Sequence, residues 1–151
     1  MPGVAGPAAG DGAGTIGKDE EHMSASHRIG IIGGDGIGPE VIAEALKVIA
    51  ATGVELDTVD YDLGGARYLR DGLVLTDDIV DEWRQLDALL LGAVGAPGVP
   101  PGVIERGLLL KMRFDLDLYV NQRPFVAPDH AHDFIVIREN TEGTYAGEGG
   151  F

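Results

Sequence analysis

The strongest constraint on the fold is a short apolar run that leads directly into a glycine-rich turn and then a helix. Residues 29–32, Ile-Gly-Ile-Ile, are rich in the β-branched side chains found in buried parallel strands. Pro39 follows the turn at a position favoured in the first turn of a helix, and apolar residues then recur at helical spacing as far as Thr52 and Gly53. A strand followed at once by a helix is the opening unit of an α/β fold.

The same alternation continues along the chain. Residues 54–61 alternate well enough for a second strand, and Thr76 is placed to cap a helix over residues 77–86. The side chains of that helix that we expect to face inward are Ile79, Val80 and Trp83. Residues 88–92 then have the composition of another buried strand. The order β-α-β-α-β predicts a layered α/β fold with a parallel sheet.

The later part of the chain carries a second group of elements. Residues 95–102 form a loop rich in Pro and Gly, and a helix is predicted from residue 103 to about residue 114. Residues 134–137 have the pattern of a further strand, which runs into a polar, glycine-containing turn. At the other end, residues 1–27 are rich in Gly, Ala, Pro and Ser without apolar periodicity, and we expect a disordered extension there.

The charge balance excludes several classes of partner. The chain carries 25 acidic against 11 basic residues, a formal net charge of -14, so binding to a nucleic-acid backbone is not expected. Cysteine is absent, which rules out disulfide bonds and thiolate metal sites. No apolar run is long enough to span a bilayer, and the N-terminus lacks the pattern of a secretory signal. A cytoplasmic location, with no membrane partner, is therefore expected.

The turn after the first strand is a candidate cofactor-binding loop. Its sequence is Gly-Asp-Gly-Ile-Gly-Pro-Glu at residues 34–40, between a strand and a helix whose N-terminus can receive an anion. A dinucleotide-binding fingerprint requires a glycine where this chain has Pro39, so that match fails. Judged by spacing alone, a tight structural turn and a cofactor loop are equally good interpretations.

Three arginines form a candidate anion-binding set. Arg113, Arg123 and Arg138 each lie beside apolar sequence near the end of a predicted element. Arginine binds carboxylates with two parallel hydrogen bonds, so three arginines aimed at one place would suit a di- or tricarboxylate. The alternative is three ordinary surface arginines with acidic neighbours. Tyr145, in a glycine-flanked segment, is either a proton donor or a packed tyrosine at a rim.

Four motifs, in order, resemble the isocitrate and isopropylmalate dehydrogenase family. They are residues 34–41, residues 91–95, Leu-Tyr-Val-Asn-Gln-Arg-Pro at residues 118–124, and Ile-Val-Ile-Arg-Glu-Asn-Thr-Glu-Gly-Thr-Tyr at residues 135–145. The resemblance covers nearly all of residues 28–151 and implies an α/β/α layered fold with two domains, of which only the front part is present. Residues 28–118 would be the first half of a discontinuous cofactor-side domain. Residues 119–151 would be the truncated start of the second domain, which carries substrate binding and dimerisation.

The resemblance also implies roles for individual residues. Tyr145 would be catalytic. The substrate-binding residues would be Arg113, Arg123, Arg138, Glu105, Leu108 and Leu109. The cofactor-binding residues would be Gly34, Asp35, Gly36, Ile37, Gly92, Ala93, Val94 and Glu105. No metal ligand is expected in this chain, because the metal-binding aspartates, the catalytic lysine and the adenosine-binding loop lie further along in family members.

The segment at residues 105–113 indicates the substrate. By resemblance, Leu108 and Leu109 form an apolar wall for an isopropyl group, whereas Glu105 would repel the third carboxylate of isocitrate. The implied reaction is the NAD-dependent oxidative decarboxylation of (2R,3S)-3-isopropylmalate, a small 2-hydroxy dicarboxylate, in leucine biosynthesis. Mg²⁺ or Mn²⁺ would assist, and the intact protein would be a homodimer. We expect the fragment to be inactive alone.

Several alternatives stay open. Gln122, before the arginine, and Asn-Thr-Glu-Gly at residues 140–143 depart from the family pattern and are compatible with tartrate, D-malate or homoisocitrate as substrate. Isocitrate is a further alternative within the same family. A non-enzymatic interpretation is a truncated paralogue or a module that binds an anion.

Overall fold

The computed structural model describes residues 26–143. Tyr145 and nearly all of the predicted N-terminal extension lie outside these described residues. His27, the last residue of that predicted extension, lies within the first strand. The described chain has two parts, which we name the sheet body (residues 27–116) and the hairpin (residues 120–139).

The sheet body is built on three parallel strands. They are β1 (His27–Gly34), β2 (Leu56–Asp60) and β3 (Ala88–Ala93), in the order β2-β1-β3. β1 lies in the middle because it is apolar on both faces, as a strand covered by helices on both sides must be. In register, Ile31 lies beside Asp60 of β2 and Leu90 of β3. The predicted parallel sheet is confirmed.

Helices and one π-helical segment cover this sheet. They are α1 (Gly38–Ala51), α2 (Gly65–Asp71), α3 (Asp77–Trp83), the π-helical segment Glu105–Leu110 and α4 (Lys111–Asp115), which continues it. α1 agrees with its prediction. The helix predicted over residues 103–114 is present, but its middle is π-helical. α3 ends earlier than predicted, because the N–H groups of Gln85 and Leu86 donate to carbonyls three residues back and close a tight turn.

The start of α3 differs from its prediction in one detail. Thr76 has the extended backbone of an N-cap residue, with φ -96° and ψ 157°, but its side chain makes no capping hydrogen bond. The inward side chains Val80 and Trp83 are buried, and Ile79 is half-buried. The prediction is therefore correct for the position and the inward face of the helix, and wrong for the capping hydrogen bond.

α2 was not predicted from the sequence. It is only seven residues long, and it opens at Gly64 and Gly65, which are poor helix formers. Its first N–H groups are held by the carboxylate of Asp35, a side chain 30 residues away. A short helix whose start depends on so distant a partner leaves little local signal.

Apolar side chains are buried on both faces of the sheet. One cluster, packed by α3, the π-helical segment and α4, consists of Ile32, Leu63, Trp83, Ile104, Leu108 and Met112. The other, under α1, consists of Ile29, Ile31 and Ile42. The ring of Tyr61 stands edge-on to that of Trp83, with centroids 5.7 Å apart. This core fixes the places where the loops leave the carboxyl ends of β1 and β3.

The hairpin consists of β4 (Val120–Phe125) and β5 (Phe134–Glu139), which pair antiparallel. β5 agrees with the strand predicted at residues 134–137, whereas β4 was not predicted. Pro124 is compatible with β4 because a strand of a two-stranded hairpin has a free edge that needs no N–H donor. Large apolar side chains stay exposed on the hairpin, among them Ile135 and Ile137.

Candidate functional site

The loops that follow β1 and β3 meet at the carboxyl edge of the sheet. The N–H of Asp35 donates to the carbonyl of Ala93 at 2.6 Å. A Cβ at Gly38 or at Gly92 would overlap the carbonyl oxygen of Gly33, so both positions need glycine for the backbones to approach. The two loops that carry the predicted cofactor residues therefore lie side by side, at the edge where open α/β sheets bind ligands.

Asp35 is buried between these loops and the start of α2. Its Oδ2 accepts hydrogen bonds from the N–H groups of Gly65 at 2.6 Å and Gly95 at 2.8 Å, and its Oδ1 accepts one from Ala66 at 2.8 Å. Burial acts to raise the pKa of Asp35, but the three N–H donors outweigh it and hold the pKa below the ordinary aspartate value. The ionised carboxylate is thus satisfied inside the protein.

The other predicted cofactor residues face outward to different degrees. Gly36 and Ile37 are exposed, Ile37 at 67%, while Gly92, Ala93 and Val94 are half-buried. Gly36 has a positive φ of 57° and open space where a Cβ would stand. Together they form a surface of exposed backbone and apolar side chain. Their contact with a cofactor stays a prediction.

The π-helical segment carries the residues predicted to meet the substrate. Ile104, Leu108 and Met112 are buried at a spacing of four residues, with 3%, 0% and 9% exposure. Residues four apart lie on one face of a helix, so this row is the face that packs into the core. Leu108 belongs to the core and offers no surface to a ligand, which counts against its predicted place in an apolar wall.

The next row of the same helix faces outward. Glu105 is exposed, and Leu109 and Arg113 are half-buried, again at a spacing of four residues. Leu110, beside this row, is half-buried as well. A carboxylate, an aliphatic side chain and a guanidinium therefore lie along one side of the helix. Sequence reasoning missed the π turn, because the apolar run at residues 108–110 fits an α-helix equally well.

Arg123 and Arg138 lie on one face of the hairpin. Arg138 pairs with Asn121, and Arg123 pairs with Val136, so the two arginines are diagonal neighbours on the same side of the pleat. In such diagonal pairs the Cβ atoms are roughly 7 Å apart, and two long side chains can reach one dicarboxylate. The Nε of Arg123 also donates to the Oδ1 of Asn121 at 2.8 Å.

Arg113 is connected to the hairpin through the backbone. The N–H of Leu118 donates to the carbonyl of Arg113 at 2.8 Å, and the carbonyl of Leu118 accepts from the Nδ2 of Asn140 at 3.1 Å. Asn140 is buried just beyond β5, and its Oδ1 has no hydrogen-bond partner among the described residues. Asn140 therefore ties the end of α4 to the end of the hairpin. Sequence reasoning missed this role, because the contact joins residues 22 positions apart.

Two kinds of feature are absent from the described residues. Within residues 26–143, no three or more His, Cys, Asp or Glu side chains are grouped so that they could hold a metal ion. Over the same residues, none of the helices combines the length and the apolar character that crossing a membrane requires.

Comparison with known proteins identifies the family. A family profile described as isocitrate/isopropylmalate dehydrogenase matches residues 28–150. The chain belongs to this family. The 3-isopropylmalate dehydrogenase of Corynebacterium glutamicum is 56% identical to this family member over 133 residues, which are 82% of this chain and 39% of that protein. The 3-isopropylmalate dehydrogenase of Frankia casuarinae is 54% identical over 132 residues, with the same two shares, 82% and 39%.

Solved structures of the isocitrate/isopropylmalate dehydrogenase family share the fold. The isocitrate dehydrogenase of Methylococcus capsulatus matches with a TM-score of 0.66 and 36% identity, over 81% of this chain and 37% of that one. A β-decarboxylating dehydrogenase of Thermococcus kodakarensis matches with a TM-score of 0.64 and 33% identity, over 78% of this chain and 35% of that one. The predicted α/β fold of this family is confirmed. The chain spans 39% of the length of the curated relatives it matches.

Proposed function

We propose that this chain is the substrate-recognition part of an NAD-dependent dehydrogenase that oxidises and decarboxylates (2R,3S)-3-isopropylmalate in leucine biosynthesis. The observation that carries the proposal is the pair Arg123 and Arg138 on one face of the hairpin, to which Arg113 is joined through Leu118 and Asn140. Arginine forks bind carboxylates through two hydrogen bonds, and 3-isopropylmalate has two carboxylates. Relatives named 3-isopropylmalate dehydrogenase, at 56% and 54% identity, support the same substrate.

We assign substrate choice to the outward row of the π-helical segment. Leu109 would offer an apolar surface to the isopropyl group, and burying a group of that size stabilises a complex by roughly 2 kcal/mol. Glu105 is exposed on the same side, and its negative charge disfavours the third carboxylate of isocitrate. Leu108 would support Leu109 from the core instead of touching the substrate.

The paired loops at the carboxyl edge of the sheet suit a nicotinamide cofactor. Gly36 leaves open space beside its backbone, and Ile37 offers an exposed apolar side chain. Gly92, Ala93 and Val94 would line the other side of the same edge. NAD, when bound, accepts the hydride that leaves the hydroxyl-bearing carbon of the substrate. The residues of this chain would orient the cofactor and the dicarboxylate toward each other.

The divalent metal that family membership implies, Mg²⁺ or Mn²⁺, does not fit the described residues, because they hold no group of three or more suitable side chains. We propose that its ligands lie in the part of the relatives that this chain does not match. Tyr145, outside the described residues, is proposed as the catalytic proton donor because residues 135–145 resemble the family motif that ends in a tyrosine.

We also propose the division into two domains, with residues 28–118 as the first half of a discontinuous domain and residues 119–151 as the start of a second. Among the described strands β3 pairs only with β1, so its other edge presents backbone N–H and C=O groups that no described strand pairs with. A strand edge of this kind readily accepts a further strand. The exposed apolar side chains of the hairpin support a homodimer, which light scattering would test. A cytoplasmic location stays an expectation from the sequence.

A chimeric enzyme tests the proposed function. Residues 28–150 of this chain would replace the matching segment of the Corynebacterium glutamicum relative, which supplies the rest of the protein. We expect NADH formation with 3-isopropylmalate, and a kcat/KM lower by roughly 100-fold with isocitrate, D-malate or tartrate. A higher kcat/KM with one of those acids would replace the substrate assignment. The parent enzyme is the positive control.

Two variants of the chimera test the arginine face. Arg123→Gln should raise the KM for 3-isopropylmalate at least about tenfold, because a hydrogen bond to a charged group contributes roughly 1.5–3 kcal/mol. Gln122→Ala changes the neighbouring side chain, which lies on the opposite face of β4, and should leave the KM within about twofold. Equal changes in both variants would contradict the assignment.

The unmodified chain alone should form no NADH. Clear turnover by it would contradict the proposal that part of the site lies in the portion of the relatives that this chain does not match.

A further inference from the structure

The N–H groups of Gly65, Ala66 and Gly95 form an amide cradle around one carboxylate. They come from the start of α2 and from the loop after β3, and all three donate to Asp35 at 2.6–2.8 Å. Converging backbone N–H groups at the start of a helix are a common device for binding phosphate or carboxylate anions. In this chain the protein itself supplies the anion.

The amide cradle has no room for a second anion. A Cβ at Gly64 would lie 2.6 Å from the Oδ2 of Asp35, and a Cβ at Gly65 would lie 2.7 Å from the backbone N of Ala96. Asp35 itself is 7% exposed. An external phosphate could reach these N–H groups only by displacing the Asp35 side chain.

We propose that Asp35 is a positioning residue, whose carboxylate is a built-in anion that fixes the loop after β3 and, through that loop, the predicted cofactor surface. The first part stands on the hydrogen bonds alone, and the part about the cofactor rests on the proposed function. Gly95 directly follows Gly92, Ala93 and Val94, so releasing its N–H would let that predicted cofactor surface move. Asp35 acts through the backbone of this loop and does not touch NAD.

Two substitutions separate the shape of Asp35 from its charge. Asparagine keeps the shape, but its NH2 group would face one of the N–H donors that now meet a carboxylate oxygen. Alanine removes the carboxylate and leaves a space about the size of a formate ion. If the Asp35 carboxylate acts as a built-in anion, formate should replace the missing carboxylate in Asp35→Ala. Formate should not do so in Asp35→Asn, because the asparagine side chain fills the space.

Thermal unfolding of the chain is the first test. Asp35→Ala should lower the Tm by roughly 10 °C, because buried donors lose a charged acceptor. Sodium formate at a few hundred millimolar should restore part of this loss, since a ligand of the folded state raises the Tm. Asp71→Ala is the matched control, because Asp71 also accepts a backbone N–H, from Leu73 at 3.0 Å, but is exposed. Sodium chloride controls for ionic strength. An equal formate response in all variants overturns the proposal.

A measurement on the unmodified chain covers the case in which neither Asp35 variant folds. The amide resonances of Gly65, Ala66 and Gly95 should shift together, with one common midpoint, in an acid titration followed by NMR. They share this midpoint because one carboxylate receives all three hydrogen bonds. Separate midpoints, or no shift, overturn the proposal.

A further readout distinguishes positioning from a merely structural role. In the chimera, Asp35→Ala should raise the KM for NAD more than the KM for 3-isopropylmalate, and formate should lower the KM for NAD again. An equal rise in both KM values overturns the positioning role. A chimera that is inactive with every acid, beside a positive formate result in thermal unfolding, would overturn the proposed function alone.

Discussion

Large apolar side chains are buried in the sheet body and exposed in the hairpin. In the sheet body, Ile32 and Leu108 are fully buried. In the hairpin, Ile135 and Ile137 are 56% and 60% exposed, and the residue buried just beyond its end, Asn140, is polar. The difference teaches that apolar composition does not by itself make a core. An element that covers the apolar face has to be present.

Because of this difference, one part of the proposed site lies on a well-packed sheet and the other part lies on an exposed hairpin. The loops predicted to bind the cofactor leave a sheet that is packed on both faces. Arg123 and Arg138 stand on a two-stranded hairpin, which is marginally stable in water without a cover. Within the hairpin, the rings of Phe125 and Phe134 stack with centroids 5.0 Å apart. In the proposed site, substrate binding would therefore depend on a cover over the hairpin more than cofactor binding would.

The largest effect is expected from a matched pair of aliphatic truncations, one in each region. Leu108→Ala opens a cavity in the core and should lower the free energy of unfolding by about 3 kcal/mol. Ile137→Ala removes an exposed side chain and should lower it by less than about 1 kcal/mol. Urea unfolding followed by circular dichroism measures both values. Equal losses would mean that the hairpin is covered in solution, and the contrast between the regions would disappear.

A pair of glycine substitutions asks whether the carboxyl edge of the sheet body is as closely packed as its core. Gly38→Ala brings a Cβ onto backbone atoms of Gly33 and Ala93 and should lower the free energy of unfolding by roughly 2–3 kcal/mol. Gly53→Ala meets open space at a φ of 81° and should lower it by only about 1 kcal/mol, from backbone strain. Similar losses in the two variants would show that the loops are not held against each other.

The pH dependence of stability should also differ between the regions. Burial acts to raise the pKa of Asp35, and three N–H donors more than offset it; N–H groups of Thr141 and Glu142 lower the pKa of the exposed Glu139. A pKa lowered by folding gives stabilisation that is complete above the unfolded-state pKa and is lost as the pH falls through the folded-state pKa. At neutral pH the unmodified chain should therefore exceed Asp35→Asn by about 2 kcal/mol in free energy of unfolding.

That difference should shrink once the pH falls below about 4, where the unfolded-state aspartate takes up its proton. Urea titrations of both proteins across the acid range measure it. Glu139→Gln, at the exposed last residue of the hairpin, should change the profile less. A difference between the unmodified chain and Asp35→Asn that stays constant into strong acid would show that the charge of Asp35 is not what stabilises the sheet body.

The smallest effect is expected inside the hairpin. A double-mutant cycle with Phe125→Leu and Phe134→Leu should give a coupling energy of about 1 kcal/mol for the stacked rings. NMR of the hairpin amides would report the loss of pairing locally. A coupling energy near zero would indicate that other residues, packed over the hairpin, hold the two rings in place. The hairpin would then be covered, as the sheet body is.

Much of the sheet body could be predicted from its sequence, and specific parts could not. Residues 29–32 and Pro39 indicated a strand, a turn and a helix, and Trp83 was expected to face inward, as it does. β4 was not predicted, although β5 was. The motifs that resemble the isocitrate/isopropylmalate dehydrogenase family were a correct guide to the family. The leucines of residues 108–110 were not sorted into inward and outward positions, although the spacing of four residues from Ile104 and Met112 marks Leu108 as inward.

The sequence by itself determined the features whose causes are local. Burial periodicity, the fixed φ of proline and the freedom of glycine act within a few residues, and they specified β1, α1 and the turn between them. Only the tertiary structure decided the features whose partners are distant. Asp35 finds its N–H donors 30 to 60 residues away. Arg123 and Arg138 share a face only because the register of the hairpin places them there. The sequence shows which residues carry a charge. Only the three-dimensional packing decides which of these charged groups receive hydrogen bonds within the protein, as Asp35 does.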